Sequence, residues 1–138
     1  MEMAFNVLIV EDQPIIAMGL EDAVEALGHH SIGVARNRAE ATLLAATADM
    51  ALVDVNLDDG PTGPGIGRDL AIADITVLFM TSDLGALGAG VKGTLGVMEK
   101  PILDLEVVKA IQYVADRRAG IEGTCPPDRL RTFPVTKQ

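Results

Sequence analysis

A chain of 138 residues with a formal charge of −9 has room for one hydrophobic core, and its acidity argues against the clustered Lys and Arg that nucleic-acid binding needs. Apolar residues make up 49% of the chain and aromatics only 3%, so the core is expected to be Val, Leu, Ile, Ala and Met, as in a sheet covered by helices. The lone Cys125 excludes an internal disulfide. With no basic-plus-apolar leader and no apolar run near the ~18 residues of a membrane span, the expected setting is a soluble protein in a reducing cytoplasm, away from membranes.

Asn6 to Val10 is a continuous apolar run that ends abruptly in Glu11 and Asp12, the pattern of a strand buried on both faces. Pro14 suits a first helical turn, and Ile16, Leu20, Val24 and Leu27 follow at helical spacing until Gly28, predicting an amphipathic helix. Adjacent His29 and His30 read as surface residues of the following turn. Ser31 to Ala35 is a weaker second strand, and Asn37 with Glu40 is spaced to cap a helix running to about Ala48. Ala51 to Val55 is a third strand with Asp54 near its end. Asn56 to Gly65, with Asp58, Asp59, Gly60, Pro61 and Pro64, must be a loop before a short helix near Ile66 to Ala73.

Ile75 to Met80 reads as the fourth strand, followed by Thr81 and Ser82. Five glycines between Leu84 and Gly96 each disfavour a helix by about 1 kcal/mol, so any helix there is short. Val97 to Glu99 predicts the fifth strand, before Lys100-Pro101 and a helix from about Asp104, as its cap, to Arg118. Met18, Met50, Met80 and Met98 read as core filling. The Pro-containing tail, residues 119–138, is expected to be mostly non-helical and either packed back on the domain or bound to a partner. Strands alternating with helices imply an α/β fold with a doubly wound five-stranded parallel sheet.

Ligands of such sheets bind beyond the carboxyl ends of the strands, which directs attention to Glu11, Asp12, Asp54, Thr81 and Lys100. Carboxylates converging there repel one another unless a hard cation relieves them. Mg2+ fits, with Asp12 and Asp54 as direct ligands, the Asn56 carbonyl as a third and Glu11 acting through water. Asp54 can serve as a nucleophile toward phosphorus, Lys100 can pair with a phosphate oxygen, and Thr81 can donate a hydroxyl hydrogen bond. Taken singly, each residue has a plainer role: Asp12 as a helix cap, Lys100 as a solvated turn residue, Thr81 as an edge residue.

Val7-Leu8-Ile9-Val10-Glu11-Asp12, Val53-Asp54-Val55-Asn56, Met80-Thr81-Ser82 and Glu99-Lys100-Pro101 together resemble the successive signatures of response-regulator receiver domains, over roughly Asn6 to Arg118. The resemblance implies a flavodoxin-like fold of strand order 2-1-3-4-5 and a cis bond before Pro101. It implies a receiver domain over residues 1–118, phosphorylated on Asp54 by a histidine kinase or phosphotransfer protein and signalling to a downstream protein. The only catalysis it implies is self-phosphorylation and autodephosphorylation, and a second copy of the chain is a candidate partner. The family's readout uses an aromatic on the fifth strand, whereas the matching position here is Val97. The Leu84 to Gly96 segment is therefore expected to report phosphorylation through order and disorder. Asn56 and Asp83, small and polar, predict a short-lived phosphoryl group. The competing reading is a non-phosphorylated pseudo-receiver. An aspartyl-phosphate phosphatase is disfavoured because Asn56 stands where its second aspartate belongs.

Overall fold

The structure, a computed structural model, describes residues 3–134. Six strands, β1 (Asn6–Val10), β2 (His30–Ala35), β3 (Met50–Val53), β4 (Thr76–Thr81), β5 (Gly96–Glu99) and β6 (Leu130–Thr132), form one sheet in the order β2-β1-β3-β4-β5-β6. The first five are parallel and follow the order 2-1-3-4-5. The helices are α1 (Pro14–Ala26), α2 (Arg38–Leu44), α3 (Gly63–Ile72) and α4 (Asp104–Ala119).

Because successive strand residues point to opposite faces, the sheet builds two apolar layers. Val7, Ile9, Leu52, Leu78, Met80 and Met98 pack on the side of α1 and α4, and Leu8, Val10, Val53, Val77, Phe79 and Val97 on the side of α2 and α3. Burial on both faces is why these strands appear in the sequence as unbroken apolar runs. Only the outer strand β2 departs from strict pairing, with a register shift opposite Val7/Leu8.

Several local expectations are corrected. The helix after Asn37 ends at Leu44 and tightens into a 3-10 turn, Ala45–Thr47; its start is as the spacing predicts, with the Asn37 side chain accepting from the Glu40 N–H at 2.9 Å. Asp104 lies inside the first turn of α4, whose cap is Leu103; Glu106 reaches back to accept from the Leu103 N–H at 3.1 Å. His29 is buried, stacked on Phe5 with ring centroids 5.7 Å apart, and its Nδ1 accepts from the Phe5 N–H at 3.1 Å, whereas His30 is exposed. Met50, Met80 and Met98 are core residues, but Met18 lies exposed on α1 beside Ile15. Between β4 and β5 the only helical structure among the described residues is a 3-10 turn, Leu84–Leu87.

The tail adds an element. Leu130–Thr132 pairs antiparallel to β5, with Gly96 opposite Thr132, Val97 opposite Arg131 and Met98 opposite Leu130. Leu130 enters the α1/α4 layer and Phe133 the opposite one. Phe133 lies 6.4 Å from Phe79 between ring centroids. Gly96 makes this approach feasible, since a Cβ there would overlap the Arg131 carbonyl oxygen and crowd Thr132. Gly96→Ala is therefore expected to detach β6. Hydrogen exchange of the 130–133 amides should rise at least about tenfold, with roughly 1–3 kcal/mol lost in denaturant unfolding.

Candidate functional site

The sheet's hydrogen bonding continues one residue past each strand and fixes the residues at the carboxyl edge. The Glu11 N–H donates to the Ala35 carbonyl (2.9 Å), the Asp54 N–H to Val10 (2.9 Å) and the Lys100 N–H to Thr81 (3.0 Å). Side chains leaving β1, β3 and β5 are thus held in register by the backbone.

Lys100 spans them. Its Nζ donates to Glu11 Oε1 at 2.6 Å and to Asp54 Oδ2 at 2.8 Å, while the other carboxylate oxygens accept main-chain hydrogens, Asp54 Oδ1 from Val55 (2.7 Å) and Glu11 Oε2 from Gln13 (3.2 Å). Glu11 and Asp54 are buried. Burial pushes the Glu11 carboxyl above its usual range, the hydrogen bond and charge of Lys100 oppose that, and the nearby Asp54 adds to it. Burial alone would lower the Lys100 ammonium; its hydrogen bonds and charge pairing with Asp54 and Glu11 outweigh this and raise it.

Asp12 completes a triad, with one carboxylate oxygen each from Glu11, Asp12 and Asp54 within 4.8 Å of one another. It caps nothing: α1 begins at Pro14 with Gln13 as its N-cap residue and no side-chain cap. Three carboxylates face one ammonium, and their hard oxygen donors fit a small divalent cation that retains several waters. Asp12, Asp54, Asn56, Ser82 and Lys100 line a cavity of about 620 Å³, floored by Ile16, Leu20, Met80, Ile102 and Val107.

The remaining candidates sit around this cluster. Thr81 is fully buried at the end of β4, and its hydroxyl accepts from the Asp83 N–H at 3.0 Å instead of meeting Asp54. The Asn56 amide donates to the Asp83 carboxylate at 3.1 Å, joining the two residues that the sequence had marked as neighbours of the acceptor. Val97 is buried beside β6, and the tail brings the aromatic Phe133 into the same apolar layer. Sequence reasoning missed Gly63. Its N–H donates to Val55 at 2.9 Å, and a Cβ there would overlap the Asp54 carbonyl; only the turn-forming composition of the loop hinted at it.

No family model matches the sequence. PhyR, the phyllosphere-induced regulator of Methylorubrum extorquens, is 44% identical over 85 residues, 59% of this chain and 32% of PhyR. The solution structure of the Erythrobacter litoralis PhyR response-regulator receiver (REC) domain superposes with a TM-score of 0.70 at 27% identity, covering 90% of this chain and 96% of that domain. SdrG from Sphingomonas melonis superposes at 0.65 with 32% identity, over 83% of this chain and 98% of SdrG. The chain belongs to the receiver-domain family of response regulators. It spans only about a third of the M. extorquens PhyR. A further PhyR, from Bartonella quintana and solved in complex with the anti-sigma factor NepR, is 39% identical over 56% of this receiver and 33% of that chain (TM-score 0.52).

The raised Glu11 carboxyl has a pH signature. A folded-state pKa above the unfolded one means the native receiver binds the proton more tightly, so stability falls as pH rises from the ordinary carboxylate value through the raised one. In metal-free buffer, Glu11→Gln should flatten that decline in thermal unfolding curves recorded between about pH 4 and 7. An unchanged slope would show that another group causes it.

Proposed function

We propose that this receiver is a phosphorylation switch in which Asp54 takes a phosphoryl group from a histidine kinase or phosphotransfer protein in a Mg2+-dependent reaction. The observation that carries the reading is the Lys100 ammonium held 2.8 Å from Asp54 and 2.6 Å from Glu11, with Asp12 in reach of both carboxylates. In the reaction an Asp54 carboxylate oxygen attacks phosphorus in line with the donor's P–N bond, which breaks as the O–P bond forms. Lys100 exchanges part of its pairing with the carboxylates for a phosphoryl oxygen. Asp12 and Asp54, with Glu11 behind them and the Asn56 carbonyl beside them, would hold the Mg2+, which supplies charge neutralisation at the transferred group. Thr81 contributes its hydroxyl once it turns from the Asp83 N–H toward the phosphoryl group.

Surface features support a protein partner. Ile15 and Met18 on α1 and Leu103 and Leu105 at the start of α4 are large, apolar and exposed, on two elements that flank the acidic cavity. The PhyR likeness nominates PhyR-type signalling, including anti-sigma factors, as the context in which to seek the kinase and the downstream protein. Among the described residues no helix is long and apolar enough to cross a membrane, and the reading places the switch in the cytoplasm. Readout through the Leu84 to Gly96 segment, whose helical content is one short turn, belongs to the same proposal.

The test is phosphotransfer from the host's histidine kinases. Asp54 should be labelled in the parent and not in Asp54→Asn, and Lys100→Ala should slow transfer by about 10²-fold, the scale of losing one charge-stabilising donor. A parent that takes no label and does not bind beryllofluoride with Mg2+ would instead be the pseudo-receiver. The Asn56–Asp83 pair borders the acceptor and leaves space for an attacking water. The phosphoryl group is expected to decay within minutes in the parent, and more slowly in Asp83→Ala, as followed by loss of label after donor removal.

A further inference from the structure

The tail does more than lengthen the sheet. The turn before β6 places Arg129 across the Lys100-Pro101 segment. Its Nη2 donates to the Glu99 carbonyl at 2.7 Å and its Nη1 to the Pro101 carbonyl at 2.9 Å. The same Nη1 pairs with Glu106 Oε1 at 3.0 Å, and Glu106 Oε1 also accepts the Leu103 N–H that begins α4. One guanidinium therefore binds main-chain oxygens on both sides of Lys100 and anchors them to the first turn of α4.

Lys100 leaves the end of an edge-proximal strand and turns immediately into Pro101, which has no N–H to donate to the sheet. Its own N–H reaches Thr81 on one side; on the other side, where β5 would face solvent, the clasp comes from the tail. A rigid planar fork with two donors on two carbonyls fixes both position and tilt, which a lysine's single ammonium cannot reproduce. The seat of the fork is the β6 pairing, with Leu130 buried directly after Arg129.

We infer that Arg129 is a positioning residue for Lys100: by clasping the Glu99 and Pro101 carbonyls it holds the Lys100 backbone where the ammonium meets Asp54, so docking of the C-terminal strand sets the phosphotransfer chemistry. This rests on the phosphoacceptor role of Asp54 proposed above. It assigns a role to a segment outside the four motif-bearing strand ends. Arg131, two residues on and within β6, is the internal control. Its guanidinium lies over the Phe133 ring at 5.7 Å and donates to the Gly88 carbonyl, not to the carbonyls that flank Lys100.

The experiment uses the full chain with phosphoramidate as donor and Mg2+ present, comparing the parent with Arg129→Ala, Arg129→Lys and Arg131→Ala. Arg129→Ala should lower the first-order phosphorylation rate at saturating donor by about tenfold, as expected of a misplaced charge-stabilising group. The half-saturating donor and Mg2+ concentrations should stay within about twofold, because neither is bound by the clasp. Arg129→Lys should recover part of the rate, and Arg131→Ala, which leaves the Arg129 clasp in place, should keep it. A parental rate in Arg129→Ala, or an equal loss in Arg131→Ala, overturns the assignment. A parent that takes no phosphoryl group refutes the phosphoacceptor reading instead. The Lys100 amide shift, read by NMR without donor, then decides the positioning role: it should move in Arg129→Ala and not in Arg131→Ala, and an unmoved shift overturns it.

Discussion

Everything at the carboxyl edge depends on one ammonium ion placed among three carboxylates. Buried like charges a few ångströms apart are unfavourable, and the folded chain tolerates Glu11 and Asp54 because Lys100 bridges them. The bridge costs Lys100 much of its solvation, and the gain is a site assembled in advance of any ligand. The strand order follows from the same need: β1, β3 and β5 carry the interacting residues, and β4 between β3 and β5 sets the spacing across which a lysine can reach.

The bridge also explains why the site is poised and not satisfied. One positive charge cannot balance Glu11, Asp12 and Asp54, and Asp12 has no capping duty that would occupy it. In the proposed switch the remaining charge would draw a cation, and the cation would free Lys100 to turn toward an incoming anion. Gly63 contributes by absence, since the chain behind Asp54 passes too close for any side chain.

The five parallel strands and the residues at their ends were legible because burial on two faces leaves apolar runs that stop sharply at charged residues. Glu11, Asp12, Asp54 and Lys100 could be read in this way, and the structure brings them together. Thr81 was legible as a strand end, but the partner of its hydroxyl is an Asp83 N–H that no pattern announces. β6 escaped because a three-residue strand has too few positions for a period, and because its partner β5 contributes only the small Gly96 as a clue. His29 was misread since its burial depends on Phe5, distant in sequence and adjacent only after β1 and β2 pair. The Arg129 clasp was equally invisible: two of its three acceptors are backbone carbonyls, which no side-chain motif records.

β6 has a consequence for self-association. A parallel sheet presents two open edges, and each is a template for another copy. Here the β5 side ends in a short antiparallel strand, with Pro134 two residues past it and unable to donate to a further ladder. The longer β2 (His30–Ala35) is the other edge, and the three-residue β6 offers far less backbone to a second copy. A contact between two β2 edges would use the same patch on both partners and be complete once two have met. The tail thereby shortens one of the two edges through which sheets could stack without limit.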